Sequence, residues 1–218
     1  MTQHYFSETP AGEFRTREIE VRLAGAPRTV VTSGGVFSPE QLDRGTAVLL
    51  RVVGEDAADD PAAEADAGAE ADPGAAPGPL LDLGCGWGPI ALHAALQEPE
   101  REVWAVDVNE RSRELTRLNA ERLGLARVRV AAPEEVPAAL RFAEIRSNPP
   151  IRVGKEALHG ILRAWLPRLA EGGIARLVVA KHLGADSLQR WIAAEFPELD
   201  VDRVARDKGF HVIRAQRP

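Results

Sequence analysis

The residues with the clearest chemical potential in this sequence are four consecutive ones, Asn148, Pro149, Pro150 and Ile151. Each proline fixes its own φ and lacks a backbone N–H, and Pro149 also biases Asn148 toward extended geometry. Two successive prolines therefore predict a rigid turn that belongs neither to a paired strand nor to a helix interior. Such a turn holds the Asn148 amide and the neighbouring carbonyls in place, which suits the binding of a planar group that carries N–H bonds.

A glycine-rich segment between a short apolar run and a predicted helix is the second candidate site. It reads Leu81, Asp82, Leu83, Gly84, Cys85, Gly86, Trp87, Gly88. Glycines at such a position let the backbone turn tightly and approach a ligand closely. Asp107 stands at the end of the next predicted strand, about the separation at which a carboxylate binds ribose hydroxyls. Together the loop and Asp107 predict a site for an adenosine-type cofactor.

The acid that precedes the loop, Asp82, distinguishes between two kinds of adenosine cofactor. A dinucleotide site has the form G-x-G-x-x-G/A, whereas Pro89 stands three residues after Gly86 in this chain. A negative side chain so close to the loop disfavours a pyrophosphate, and with it a nicotinamide oxidoreductase, but suits an ammonium group. S-adenosylmethionine carries an ammonium group and a ribose but no phosphate. We therefore predict a S-adenosylmethionine site formed by Asp82, Gly84, Cys85, Gly86, Gly88, Asp107, Val108 and Asn148.

The composition limits the class of protein. With 218 residues, of which 44% are hydrophobic, the chain can bury one substantial core, and we expect a single domain. A single cysteine, Cys85, excludes an internal disulfide and a multi-cysteine zinc site. The N-terminal residues do not have the pattern of a signal peptide. Apolar stretches are all much shorter than the roughly 20 residues that span a bilayer. These features predict a soluble, cytoplasmic protein without a metal, which we expect to be a monomer.

An acidic segment accounts for the net charge of −6. Residues Glu55–Pro79 contain eight acidic residues and no basic one, and they consist almost entirely of Ala, Asp, Glu, Gly and Pro. Such a composition buries too little apolar surface to offset the entropy of ordering. We therefore predict a disordered insertion that separates an N-terminal cap, residues 1–54, from a core of residues 80–218. Without this segment the chain is close to neutral, and its basic C-terminal third permits an anionic partner.

The elements that must position these residues alternate between strands and helices. Strands are predicted at Pro79–Leu83, Val103–Val106, Val128–Val130, Phe142–Arg146, Ile174–Ala180, Val201–Val204 and His211–Ala215, with helices at Pro89–Leu96, Arg111–Leu123, Lys155–Leu169 and Asp186–Phe196. Gly172 and Gly173 are expected to cap the third of these helices. The cap is predicted as a hairpin, from Phe14–Leu23 and Thr29–Thr32, followed by a helix from Pro39 to Val53. This alternation predicts an α/β fold, a Rossmann-like, seven-stranded and mostly parallel sheet with helices on both faces.

The same segments resemble the class I S-adenosylmethionine-dependent methyltransferases, in which an Asn-Pro-Pro segment after the fourth strand is the catalytic motif. More specifically, the chain resembles the small-domain ribosomal RNA guanine-N2 methyltransferases. Further segments carry this resemblance: His4–Ser7, Gly35–Ser38, Leu42, Asp43, Gly45, Thr46, Asn148–Lys155, His159, Lys181–Ala185 and Lys208–Phe210. It covers nearly the whole chain except the acidic segment. The chain has Ala131, Ala132 and Pro133 where many relatives hold adenine with an acid or polar group, so no adenine contact is assigned.

The resemblance implies methyl transfer to the exocyclic amine of a guanine in 16S ribosomal RNA or the small ribosomal subunit. Asn148, Pro149 and Pro150 then form the catalytic motif, in which the Asn148 side-chain oxygen and the Pro149 carbonyl accept the N–H bonds of the amine. Ile151 and Phe37 would contact the base, and Arg152 and Lys155 would hold phosphates. Cys85 is predicted to be a small residue in a crowded turn and not a nucleophile.

Two alternatives remain open from the sequence. Asn-Pro-Pro motifs also serve methyltransferases that act on another planar amine, such as a DNA adenine or a protein glutamine. Ile151 stands where an aromatic residue would support stacking of an extruded adenine. A cofactor-binding or RNA-assembly factor without catalysis is the second alternative, and the presence of Asn148, Asp82 and Asp107 argues against it.

Overall fold

A computed structural model describes residues 14–59 and 78–218 of the chain. Its strands are β1 (Thr16–Leu23), β2 (Ala26–Ser33), β3 (Leu80–Leu83), β4 (Val103–Val106), β5 (Val128–Ala131), β6 (Phe142–Ser147), β7 (Leu169–Ala180), β8 (Asp200–Asp207) and β9 (Phe210–Gln216). Its helices are α1 (Arg44–Asp59), α2 (Pro89–Gln97), α3 (Glu110–Arg122), α4 (Lys155–Trp165) and α5 (Ala185–Glu195).

Seven strands form one sheet in the order β5-β4-β3-β6-β7-β9-β8, and β1 pairs with β2 in a separate antiparallel hairpin. The pairs from β5 through β7 are parallel, whereas β9 runs antiparallel to both of its neighbours. The predicted fold class is therefore confirmed. From β3 the following strands are added on one side of the sheet as far as β5, and from β6 they are added on the other side. The carboxyl ends of β3 and β6 therefore flank the crevice in which ligands of open α/β sheets bind.

Two large apolar cores cover the two faces of the sheet. On one face, α4 and α5 pack through Leu158, Leu162, Leu188 and Ile192 against the sheet. On the other face, α1, α2, α3 and the hairpin bury side chains such as Leu49 and Leu115. The period-two alternation of β7 follows from this arrangement, because Leu177 and Val179 face one core and Val178 faces the other.

Several predicted boundaries differ from the structure. Helix α4 ends at Trp165 and not at Leu169, because Pro167 lacks the N–H that would continue the helix. Gly172 and Gly173 do not cap that helix. They lie inside β7, where the pairing with β6 shifts register, and a Cβ at Gly173 would lie 2.8 Å from the Ala170 carbonyl oxygen. Gly173 is therefore required because neighbouring backbone approaches it too closely for a side chain.

Helix α1 begins at Arg44 rather than Pro39 and continues to Asp59 rather than Val53. Asp43 precedes it and caps its first turn, since the Thr46 N–H donates to Asp43 Oδ2 at 3.0 Å. The helix thus enters the segment predicted to be a disordered insertion. Residues 60–77 of that segment and the predicted cap motif at residues 4–7 lie outside the described residues.

Candidate functional site

The glycine loop links β3 to α2 and has left-handed backbone at three positions. The φ angles are 79° at Gly84, 59° at Gly86 and 96° at Gly88. Any other residue would be strained in this conformation. A Cβ at Gly88 would also lie 3.0 Å from both Thr116 Oγ1 and Thr116 Cγ2. The sequence pattern therefore reflects a need for both unusual backbone angles and, at Gly88, close packing against α3.

Asp107 follows β4 and lies against this loop. The Gly86 N–H donates to its Oδ2 at 2.9 Å, and the Asn109 N–H donates to its Oδ1 at 2.9 Å. Burial raises the pKa of this carboxyl above its ordinary value, although both backbone bonds act in the opposite direction. Each carboxylate oxygen retains capacity for a further hydrogen bond. Asp107 is thus held in place as an acceptor on the wall of the cavity.

Asp82 has a different position from the one predicted. It is fully buried, and its Oδ2 accepts the Ala91 N–H at 2.9 Å. Among the described residues, its other oxygen has no hydrogen-bond partner. Burial raises the pKa of Asp82 to about 7. This carboxyl holds the first turn of α2 and does not line the cavity, so the structure does not bring it to a ligand's ammonium group.

Cys85 is buried within the loop and its thiol lies 3.5 Å from Thr116 Oγ1. Burial and the negative charges of Asp107 and Asp82 raise the pKa of the thiol well above its ordinary value. A protonated thiol is a poor nucleophile. The geometry therefore agrees with the prediction that Cys85 is not a nucleophile.

The Asn-Pro-Pro turn begins where β6 ends, next to the glycine loop. Ser147 Oγ donates to the Leu83 carbonyl at 2.7 Å, which ties the last residue of β6 to the last residue of β3. The Ile151 N–H donates to the Pro149 carbonyl at 2.8 Å, and Pro150 has φ −75° and ψ 72°. These are the angles of an inverse γ-turn. One lone pair of the Pro149 carbonyl is therefore used within the turn, and one remains for a ligand.

The Asn148 side chain is held by two residues of the cap. Its Nδ2 donates to Asp43 Oδ2 at 2.8 Å and to Thr46 Oγ1 at 3.0 Å. A carboxylate only accepts hydrogen bonds, so the NH₂ group of the amide must face Asp43. The sequence did not assign a role to Asp43 or Thr46 in this contact. Both residues belong to the segments that resemble the ribosomal RNA guanine-N2 methyltransferases, and this resemblance was the sequence signal that could have identified them.

A single cavity of about 690 Å³ joins these features. The predicted site residues that line it are Phe37, Gly84, Cys85, Gly86, Asp107, Val108, Asn148, Pro149, Pro150, Ile151 and Arg152. Asp82, Gly88 and Lys155 do not line it. Asp43, Thr46, Trp87 and His182 are lining residues that the sequence did not place there. Most of the predicted site is thus brought together at the carboxyl ends of β3, β4 and β6.

The cap contributes one wall of the cavity through Phe37, whose side chain is 46% exposed. Hydrogen bonds fasten the segment around Phe37 to the core. Asn109 Nδ2 donates to the Gly35 carbonyl at 3.0 Å, Arg111 Nη1 donates to the Gly34 carbonyl at 2.7 Å, and Trp87 Nε1 donates to the Ser38 carbonyl at 3.3 Å. The cap is therefore a fixed part of the cavity wall.

A buried ion cluster lies on β6 below the Asn-Pro-Pro turn. Glu144 accepts two bonds from Arg146, at 2.7 and 2.9 Å, and one each from Arg101 at 3.1 Å and Arg176 at 2.9 Å. Burial alone would raise the pKa of Glu144, but the three guanidinium groups outweigh it and hold the pKa below its ordinary value. The cluster fixes β6, the strand that Asn148 directly follows.

Two aromatic residues considered from the sequence, His159 and Trp165, pack against other side chains of the core. The His159 ring stacks on Trp191 with centroids 3.5 Å apart. Trp165 is buried in the core and also lines the cavity. Among the described residues, His, Cys, Asp and Glu do not form a group of three that could hold a metal ion. In the same parts of the chain, the helices are too short or too polar to cross a membrane.

Comparison with protein families gives a match over most of the chain. The family model described as methyltransferase small domain matches residues 27–214. Uncharacterized protein YbxB of Bacillus subtilis is 33% identical over 220 residues, which cover 100% of both chains. Ribosomal RNA small subunit methyltransferase C of Pseudomonas syringae is 30% identical over 207 residues, which cover 93% of this chain and 55% of that protein.

A solved structure has the same fold. The Thermus thermophilus 16S rRNA N2 G1207 methyltransferase (RsmC), in complex with AdoMet and guanosine, aligns with a TM-score of 0.71 and 24% identity. The alignment covers 96% of this chain and 52% of that chain. This chain therefore spans about half the length of the Pseudomonas and Thermus proteins.

Proposed function

Because this chain belongs to the methyltransferase small domain family, we propose that it transfers a methyl group from S-adenosylmethionine to the exocyclic N2 of a guanine in 16S ribosomal RNA. The observation that carries this proposal is the state of the Asn148 amide. Both of its N–H bonds are committed to Asp43 and Thr46. Only its oxygen is left to interact with a ligand, and an acceptor at this position suits an amine.

Family membership confirms the predicted class, the S-adenosylmethionine-dependent methyltransferases. The residues of the cavity fit this cofactor. Asp107 offers two carboxylate oxygens to ribose hydroxyls, and Val108, which is 42% exposed, stands beside it at the cavity. A Cβ at Gly84 or Gly86 would meet no described atom within 4 Å, so the backbone there is open to close approach. When bound, S-adenosylmethionine supplies an electrophilic methyl group.

Asn148 and Pro149 then orient the amine. The Asn148 oxygen accepts one N–H bond of the exocyclic amine, and the free lone pair of the Pro149 carbonyl accepts the other. The lone pair of the nitrogen is normally delocalised into the ring, and these two bonds favour a pyramidal nitrogen that can attack. The C–N bond would form as the S–C bond breaks, which leaves S-adenosylhomocysteine as a neutral thioether, and the cationic nitrogen would then release one proton to water. Positioning of the two reactants supplies much of the rate, because they must approach within roughly 3 to 3.5 Å.

The surroundings of the turn support a nucleic-acid substrate. Arg152 is exposed and lines the cavity, and Lys155 is exposed at the start of α4. Both can contact phosphates, which position a nucleic acid without reading its sequence. Phe37 and Ile151 lie at the cavity and offer apolar surface to a base. A base in structured RNA must leave its stack, which costs a few kcal/mol. The ribosomal substrate is supported by the names of the Pseudomonas and Thermus relatives.

The proposal is tested by incubating purified protein with unmodified 16S RNA, or with small subunits, and labelled S-adenosylmethionine. We expect N2-methylguanosine in the nucleosides resolved by mass spectrometry. Asn148→Ala should bind S-adenosylmethionine as the original protein does and lose transfer. N6-methyladenosine, or labelled protein in place of RNA, would refute the guanine assignment. Unchanged turnover in Asn148→Ala would refute the catalytic role.

The proposal extends to a monomeric, metal-independent enzyme that acts in the cytoplasm, where small subunits are assembled. Activity should survive EDTA, and light scattering should give the mass of one chain. Loss of activity in EDTA that returns with a divalent cation would contradict the metal independence.

A further inference from the structure

The amide of Asn148 has no donor left for a ligand. A primary amide carries two N–H bonds, and both acceptors of Asn148 Nδ2 come from the cap, Asp43 Oδ2 at 2.8 Å and Thr46 Oγ1 at 3.0 Å. Rotation of the amide by 180° would place its oxygen against the carboxylate of Asp43, which is electrostatically unfavourable. The two cap residues therefore decide which atom of Asn148 faces a substrate.

The two cap residues are themselves held firmly. Thr46 is 3% exposed, and its backbone N–H donates at 3.0 Å to the same oxygen of Asp43 that binds Asn148. Gly45 packs between Asp43 and Phe210, the first residue of β9. A Cβ there would lie 2.9 Å from Phe210 Cε1 and 3.0 Å from Asp43 Oδ2. The start of α1 therefore approaches Asn148 closely because residue 45 has no side chain.

The charge on Asp43 also affects the acceptor strength of the amide. A carboxylate that accepts the amide N–H draws electron density toward the amide oxygen, and a charge-assisted bond does so more than a neutral one. The amide oxygen then interacts more strongly with an amine whose nitrogen gains positive charge as it is methylated. Asp43 thus favours the transition state over the bound substrate.

We propose that Asp43 and Thr46 are positioning residues that fix the Asn148 amide with its oxygen toward the substrate and, through the charge of Asp43, strengthen that oxygen as an acceptor. This inference rests on the proposed function for its kinetic part. Neither residue needs to touch the substrate, and together they make methyl transfer depend on docking of the N-terminal cap.

The experiment compares Thr46→Val, which removes the hydroxyl but keeps the shape, with Thr46→Ser, which keeps the hydroxyl. Asp43→Asn removes the charge and keeps the shape. Thr29→Val is the matched control, because Thr29 is exposed on β2 and does not line the cavity. For each variant we would measure kcat, the KM for RNA, the Kd for S-adenosylmethionine and the thermal midpoint.

We expect Thr46→Val and Asp43→Asn to lower kcat about 10- to 100-fold, the cost of a misplaced catalytic group. The KM and Kd should change less than about threefold, and Thr46→Ser should restore most of kcat. A role confined to folding would instead lower the thermal midpoint and weaken S-adenosylmethionine binding in parallel. That result, or a kcat within twofold of the original in both variants, would overturn the proposal.

A second measurement does not depend on the RNA substrate. The side-chain NH₂ signals of Asn148 are identified in ¹H–¹⁵N spectra by their absence from Asn148→Ala. We expect slow exchange and a downfield proton shift in the original protein and in Thr29→Val, and loss of both in Thr46→Val. Rapidly exchanging signals in the original protein would overturn the inference. A protein with held signals that does not methylate guanine would refute only the proposed function.

Discussion

The charge of Asp82 should lower stability at neutral pH. Burial raises its pKa from 3.8 to about 7, so the folded protein binds a proton on this group that the unfolded chain has already released. Stability contributed by the protonated form is present below about pH 4 and is lost as pH rises toward 7. Asp82→Asn keeps an acceptor for the Ala91 N–H without the charge. We therefore expect the variant to be more stable than the original protein at pH 8.

The size of the effect follows from the shift. About three pKa units at about 1.4 kcal/mol each give a ceiling near 4 kcal/mol, and attraction to Arg146 is already included in the shift. We expect Asp82→Asn to gain roughly 2–4 kcal/mol in the free energy of unfolding at pH 8. At pH 5 the unfolded chain has already released this proton, but only about one pKa unit of the shift has been crossed, so the difference should shrink to about 1–2 kcal/mol.

Guanidinium unfolding of both proteins at pH 5, 6, 7 and 8 measures this difference directly. Asp200→Asn serves as the control, since Asp200 is exposed at the start of β8 and should change stability by less than about 0.5 kcal/mol throughout. A destabilisation by Asp82→Asn at pH 8 would refute the reasoning, because ionised Asp82 would then be favourable through Arg146. The Kd for S-adenosylmethionine should remain unchanged, whereas a contact with the ammonium group would require it to rise.

Three further predictions concern the support of the site. Glu144→Gln leaves three arginines around a neutral group and should cost about 3–5 kcal/mol by denaturant unfolding; a loss below about 1 kcal/mol would contradict this. Gly88→Ala should lower S-adenosylmethionine affinity in a calorimetric titration. The added Cβ would displace Thr116, whose hydroxyl donates to the Gly86 carbonyl at 3.0 Å. An unchanged affinity would refute a role of Thr116 in shaping the loop. Asn119→Ala removes bonds at 2.7 and 2.9 Å to the backbone of Val31 in the hairpin and one at 2.9 Å to the Trp87 carbonyl, and it should cost roughly 2–4 kcal/mol. Faster hydrogen exchange confined to β1 and β2 would confirm that the loss of stability arises in the cap. Unchanged exchange in these strands would contradict it.

The sequence predicted the core sheet well because its signals are local. The strand Val103–Val106 has the predicted bounds, and apolar runs separated by amphipathic helices report their own burial. The glycine pattern likewise predicted the loop, since left-handed φ angles at Gly84 and Gly86 are a local requirement. Pro149 and Pro150 predicted the rigid turn for the same reason.

The parts that the sequence did not predict depend on contacts between distant segments. Asp43 and Asn148 are separated by 105 residues, and no spacing rule connects them. The position of Asp82 depends on which way its side chain leaves a strand that is buried on both faces. The glycine pair in β7 was assigned to a helix end because Gly often follows helices, whereas the close approach of neighbouring backbone explains it.

Helix α1 separates the candidate site from the acidic segment. Its first turn holds the Asn148 amide, and its last turn leads into residues 60–77. At 16 residues and 1.5 Å per residue, the two ends lie about 24 Å apart. We therefore expect the helix to act as a spacer, so that insertion or loss of residues beyond its far end leaves the contacts of Asn148 at its near end intact.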